Sequence, residues 1–240
     1  MSNSFGLPDN YIVNAQASHE ASSRSAFWKA SELTETFQVP VYQLAAKLAS
    51  QQGLRSVLDV GCGTGRKVSA YLAPVVETVM GVDQASGISF ARQSNPAGRW
   101  IEGDLSQGET WADLAKEAPA LVLCVDVIEH VDDPGAMLDN LRRLLAATGA
   151  KLLISTPDRS LIEQPRLLGP PHNLRHVREW TKPEFTNLLE SRGFEIEQSW
   201  YLRPRTYGSL RDAVRAIYRL VGGRHPFDTT HSMAFLAAAA

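Results

Sequence analysis

The sequence predicts an α/β fold in which a mostly parallel sheet carries helices on both faces. Three observations lead there. From Arg55 onward, short apolar runs alternate with stretches of helical periodicity, as expected for buried strands joined by crossover helices. The first run opens "SVLDVGCGTGRKV" (Ser56–Val68), where an acid ends the strand and three glycines then alternate with other residues. Acids recur where the next two runs end, at Asp83 and Asp104.

A chain of 240 residues can bury one sizeable core, and residues 1–240 are read as a single domain. Hydrophobic content of 44% and charged content of 21% place it among ordinary globular chains, away from disorder. A net charge of -2 argues against wholesale wrapping of nucleic acid. The longest apolar run in the sheet region, "ALVLCV", is too short to span a bilayer. No apolar export core stands near the start, and Cys62 and Cys124 cannot build a disulfide framework. A reduced, cytoplasmic protein is therefore expected.

Residues 1–52 are read as an N-terminal helical cap, with helical periodicity in "AFWKASELTETFQVPVYQLAAKLASQQ" broken at Pro40. Strands are predicted over "SVLDV", "TVMGVD", "RWIEGD", "ALVLCVD" and "AKLLIST", with helices near 65–73, 86–94, 109–117 and 134–146. The last of these is well marked. An aspartate precedes Pro134, one face carries Met137, Leu138, Leu141, Leu144 and Leu145, and Gly149 suits the exit. A further helix is expected after Thr181, whose spacing to Glu184 is that of a capping box; Phe185, Leu188 and Leu189 form its buried face and Gly193 stops it. "FEIEQSWYL" and "HSMAFLAAA" read as two final strands, separated by an insertion at 203–230 that holds the amphipathic stretch "LRDAVRAIYRLVGG".

Gly61, Gly63 and Gly65 permit backbone angles closed to other residues and let a ligand approach the main chain. A glycine turn alone could be a tight strand-to-helix connection and nothing more. Its context is more specific: Asp59, Asp83 and Asp104 stand at three successive strand ends on one edge of the sheet, the binding crevice of an open α/β fold.

The motifs "LDVGCGTG", "GVDQAS", "EGDL", "LVLCVDVIEHVDDP" and "LLISTPD" follow in family order, and from about Arg55 the chain resembles the class I methyltransferases that use S-adenosylmethionine. The resemblance implies a Rossmann-like, seven-stranded sheet with an antiparallel C-terminal strand. It also implies roles: Asp59 for the amino group of the cofactor, Gly61 and Gly63 beneath its methionine part, Asp83 for the ribose, Asp104 and Leu105 for the adenine, with Gln84 and Asp126 as further cofactor-binding residues. The ligand's chemistry agrees. An ammonium, a sulfonium, a diol and an exocyclic amine are all groups that a carboxylate stabilises or accepts from. A nicotinamide-dinucleotide fold is disfavoured, because the glycines run GxGxG, an acid precedes them and the chain ends in two strand-like segments around an insertion.

Methyl transfer from a sulfonium needs an aligned nucleophile, removal of its proton and exclusion of water. Should "DVIEH" take a helical turn, Asp126, Glu129 and His130 share one face. Packing and capping could account for the two acids. The "EH" pair resembles that of ubiquinone-biosynthesis and other small-molecule O-methyltransferases, which makes His130, beside Glu129, the first choice for a general base. "GPPHNLRHVREWT" adds His172 and His176 in the loop after the fifth strand, and "DVIEH" followed by "HVREW" is also similar to small-RNA 3′-end 2′-O-methyltransferases. That second resemblance implies a divalent site, Mg²⁺ or Mn²⁺, on Asp126, Glu129, His130 and His176, with Asp126 where a glutamate is usual.

The expected acceptor is a small-molecule hydroxyl on a sugar, glycolipid or natural product. Arg159, Arg166, Arg175 and Arg178, with six arginines in the insertion, would suit an anionic one if they converge. A metal-dependent RNA 2′-O-methyltransferase and a non-catalytic S-adenosylmethionine-binding protein are the alternatives. Phe27, Trp28 and Tyr42 are lid candidates or ordinary packing, and Cys62 is a small filler of the loop.

Overall fold

The computed structural model describes residues 5–17, 38–161, 166–202 and 232–240. Seven strands form one sheet: β1 (Ser56–Val60), β2 (Thr78–Asp83), β3 (Arg99–Glu102), β4 (Leu121–Val125), β5 (Lys151–Pro157), β6 (Phe194–Leu202) and β7 (Ser232–Ala239). Their order is β3-β2-β1-β4-β5-β7-β6. β1 pairs in parallel with β2 and β4, β2 with β3, and β4 with β5, whereas β7 runs antiparallel to β5 and β6. This is the expected seven-stranded, mostly parallel sheet. The chain steps outward from β1 to β3 and then returns to place β4 on the other side of β1. That reversal opens a crevice at the carboxyl ends of β1 and β4, where open α/β sheets bind ligands.

Six described helices cover the two faces: α1 (Val39–Gln52), α2 (Arg66–Tyr71), α3 (Ala85–Ser94), α4 (Gly108–Lys116), α5 (Pro134–Thr148) and α6 (Lys182–Ser191). Alternate residues of each strand point to opposite faces. Val57, Leu121 and Leu123 pack with α1, α2 and α3, whereas Leu58, Val122 and Cys124 pack with α4, α5 and α6. The marked helix ends form as read: the Asp133 carboxylate accepts the Ala136 N–H (2.9 Å), Gly149 exits at φ 72°, and the Glu184 carboxylate accepts the Thr181 N–H (2.8 Å).

Boundaries differ in two places that matter to the site. β3 ends at Glu102, so Asp104 lies two residues beyond it, and β4 ends at Val125, one residue short of Asp126. Of the described residues of the N-terminal cap, 39–52 are helical. Residues 5–16 run as turns and irregular chain, with Gly6 at φ 71° and Pro8 both unsuited to a helix interior. Tyr11 is buried in that segment, against the loop after β5. Phe27, Trp28 and the insertion at 203–230 lie outside the described residues.

Candidate active site

The loop after β1 turns through Gly61, Gly63 and Gly65 at φ 77°, 58° and 67°, all in the left-handed region. Two N–H groups, of Gly61 and Cys62, donate to the Val82 carbonyl at 2.9 and 3.2 Å and tie the loop to β2. A Cβ on Gly65 would stand 2.4 Å from the Trp100 ring. Gly65→Ala is therefore expected to cost about 2 kcal/mol or more of stability, from the positive φ and the clash together, measurable by chemical denaturation.

Asp59 projects from β1 and is 1% exposed. Its Oδ2 accepts the Tyr42 hydroxyl of α1 (2.9 Å), and its Oδ1 is buried without a partner among the described residues. Burial pushes the carboxyl up to about 7, against the opposing effects of the Tyr42 hydrogen bond and the Lys67 charge. Tyr42 is thus a buried partner of Asp59, not a surface lid. Asp83 accepts the Gly63 N–H on Oδ2 and the Gln84 N–H on Oδ1, both at 2.7 Å. The exposed Asp104 carboxylate accepts the Ser106 N–H (2.9 Å), a bond that holds its pKa below the ordinary range. Leu105 packs at the edge of the core, and its carbonyl accepts Trp111 Nε1–H (2.9 Å).

The second group lies after β4. A 3₁₀ turn covers Ile128–His130 only. Glu129 is fully buried; its Oε2 accepts the Thr156 hydroxyl (3.0 Å), and its Oε1 is buried with no partner among the described residues. Burial first, then the nearby Asp126 charge, pushes this carboxyl well above the usual range. His130 Nδ1 stands 2.9 Å from the Arg175 carbonyl. A carbonyl can only accept, so Nδ1 carries a proton, and in the neutral ring the lone pair is on Nε2. His176 has the same polarity: Nδ1 meets Glu179 Oε1 at 2.5 Å and Nε2 accepts from the Asn173 amide at 2.9 Å. The two rings meet edge to face, 4.8 Å between centroids. Glu129, His130 and His176 each offer a ligand atom within 4.8 Å of the others.

Asp126 does not join that cluster. It precedes the 3₁₀ turn at φ 52°, which departs from the shared helical face that its spacing predicts. Its N–H donates to the Ser155 carbonyl (3.1 Å) and its Oδ1 accepts the Ser155 hydroxyl (2.7 Å). Two of the four loop arginines are also occupied structurally. Arg159 pairs with Glu184, and Arg178 donates to the Val131 and Asp132 carbonyls at 3.1 and 3.0 Å. His172 is exposed and is not in that group of three. Glu179 escaped the sequence reading, although its spacing to His176 in "HVREW" was there to be seen.

A family model described as a methyltransferase domain matches residues 31–199. The chain belongs to that family. It is a class I methyltransferase domain, and S-adenosylmethionine is the family's cofactor. The "Probable S-adenosylmethionine-dependent methyltransferase" of Mycolicibacterium smegmatis is 32% identical over 160 residues, 66% of this chain and 58% of that protein. A ubiquinone biosynthesis O-methyltransferase of Idiomarina loihiensis is 35% identical over 109 residues, 45% of this chain and 44% of that one. The matches thus span about half the length of these curated relatives. Among solved structures, the plantazolicin methyltransferase BamL, in complex with a triazolic desmethyl analogue and SAH, superposes with a TM-score of 0.63 at 15% identity. It covers 94% of this chain and 95% of its own, a likeness of fold. No helix among the described residues is long and apolar enough to cross a membrane.

Proposed function

We propose that this domain holds S-adenosylmethionine at the carboxyl ends of β1 to β4 and methylates a hydroxyl of a small molecule, of the sugar, glycolipid or natural-product kind. The residues present fit the cofactor. Asp59 Oδ1 is a buried acceptor without a partner, a position suited to an ammonium. Each Asp83 oxygen accepts one N–H, and a carboxylate oxygen can accept more than one bond, such as a second from a ribose hydroxyl. Asp104, with Leu105 beside it, would receive the adenine amine. When bound, the cofactor supplies an electrophilic methyl on a sulfonium leaving group.

The observation that carries the acceptor half is the polarity of the histidines: both Nδ1 protons are taken by acceptors. His130 Nε2 is then the lone pair that receives the hydroxyl proton as the acceptor oxygen attacks. His176, held by Glu179, stands edge-on beside it and assists. The test is incubation with methyl-labelled S-adenosylmethionine and fractionated cell extract. Label in a small-molecule fraction, with the mass gain of one methyl ether, is expected; label confined to RNA overturns the proposal.

A second reading has its own support. Glu129, His130 and His176 form a carboxylate with two imidazoles, and each imidazole donates its other N–H to an acceptor, the usual outer support of metal ligands. Such a set would hold a divalent cation once the Asn173 amide yields His176 Nε2, and it suits Mn²⁺ better than Mg²⁺, since two of the three donors are imidazoles. Under this reading, dialysis against a chelator abolishes transfer and Mn²⁺ restores it. Full activity in metal-free buffer leaves His130 as a plain base.

A further inference from the structure

The loop that carries His176 is bound to the N-terminal segment on both sides of the histidine. The Asn14 main-chain N–H donates to the Val177 carbonyl (2.8 Å), and its side-chain amide donates to the Leu174 carbonyl (2.9 Å). Beyond the histidine, the Glu179 N–H donates to the Tyr11 hydroxyl (3.0 Å), and Trp180 Nε1–H donates to the Phe5 carbonyl (2.8 Å). The Arg159 guanidinium lies 5.0 Å from the centroid of the Tyr11 ring and packs it in place.

From the opposite side, the Val177 N–H donates to the Glu129 carbonyl (2.8 Å) and His130 Nδ1–H to the Arg175 carbonyl (2.9 Å). Residues 174–179 contain no helix or strand. Their course is set by these bonds, because an irregular segment otherwise keeps much of its backbone freedom.

We propose that Tyr11 and Asn14 are positioning residues for His176, so that the N-terminal segment completes the active site by holding the His176–Glu179 pair against His130. This rests on the reading of His176 as a participant in the reaction. Tyr11 fixes the main chain of Glu179, whose carboxylate takes the His176 Nδ1 proton. Asn14 fixes the main chain at Leu174 and Val177. Loosening either contact lets the ring turn and lose its fixed tautomer.

The test uses the full chain labelled with ¹⁵N in its histidine rings, with His176→Gln to assign the resonances. Tyr11→Phe keeps the ring and its packing on Arg159 but removes the hydroxyl. Asn14→Ala removes the bond to Leu174. Each is expected to speed solvent exchange of the His176 Nδ1 proton about tenfold, and the double variant about a hundredfold. Affinity for S-adenosylhomocysteine should stay within about twofold, since the side-chain bonds removed run to the loop after β5. Should Tyr11→Phe fail to fold, Asn14→Ala, at a partly exposed position, carries the test alone.

Unchanged proton exchange in the folded variants overturns the proposal. Labelled-methyl transfer separates it from the reading beneath it. Falling turnover with an unchanged KM for S-adenosylmethionine supports both. Faster exchange with full transfer supports the hold of Tyr11 and Asn14 on the ring, and overturns the role given to His176 in the reaction.

Discussion

Asp59→Asn is expected to weaken binding of S-adenosylhomocysteine by about a hundredfold, the scale of removing one charge from a buried, hydrogen-bonded ion pair. Asparagine keeps the shape but cannot supply a negative charge to the ligand's ammonium. The pH dependence follows from the carboxyl at about 7. Below that pH the cofactor-free protein holds a proton that binding must expel, so affinity falls by up to about tenfold per pH unit. The ligand's own amine titrates equally against wild type and Asp59→Asn, so the difference between their calorimetric pH profiles isolates Asp59.

Stability has the opposite slope. Between the unfolded value near 3.8 and the folded value of about 7, the folded chain binds a proton that the unfolded chain has released. Cofactor-free stability therefore declines as pH rises through that window, by on the order of 4 kcal/mol at most from this group. Tyr42→Phe removes a hydrogen bond that lowers the Asp59 pKa, and should move the fall in affinity to higher pH. An affinity profile identical in wild type and Asp59→Asn would falsify the assignment.

His130→Ala is expected to reduce methyl transfer by about 10²–10⁴-fold, the range for loss of a general base, with S-adenosylhomocysteine affinity nearly unchanged. The ring belongs to the turn after β4 and the unpartnered acceptor to Asp59 on β1, so binding and turnover should separate. Glu129→Gln distinguishes the two readings of the cluster. A cation site loses a charged ligand and its dependence on added Mn²⁺ shifts to higher concentration, whereas a plain base tolerates the change with transfer still independent of metal. Loss of S-adenosylhomocysteine binding in His130→Ala would place the histidine in the cofactor's site and remove it from the acceptor's.

The sheet was legible because buried parallel strands are nearly continuous apolar runs, and those of "SVLDV" and "TVMGVD" coincide with β1 and β2 residue for residue. The caps at Asp133 and Thr181 were legible because the chemistry of a helix start is local. What the sequence concealed was tertiary. The partners of Tyr11 and Asn14 lie more than 150 residues away, and no periodicity marks such a contact. Asp126 shows the limit of spacing arguments: its offsets from Glu129 and His130 fit an α-turn, but the chain bends at Asp126 itself and forms a tighter turn from Ile128. Residues 5–16 depart from the expected helix for a related reason. Gly6 and Pro8 oppose a helix, and what orders the segment is the loop it rests on.

A crystal structure with S-adenosylhomocysteine asks the most of the carboxyl-edge crevice. The ligand's ammonium should rest on Asp59 Oδ1, its ribose hydroxyls on Asp83 and its adenine beside Asp104. A bound ligand that leaves Asp59 Oδ1 without a partner, or that occupies another part of the fold, contradicts the site proposed here.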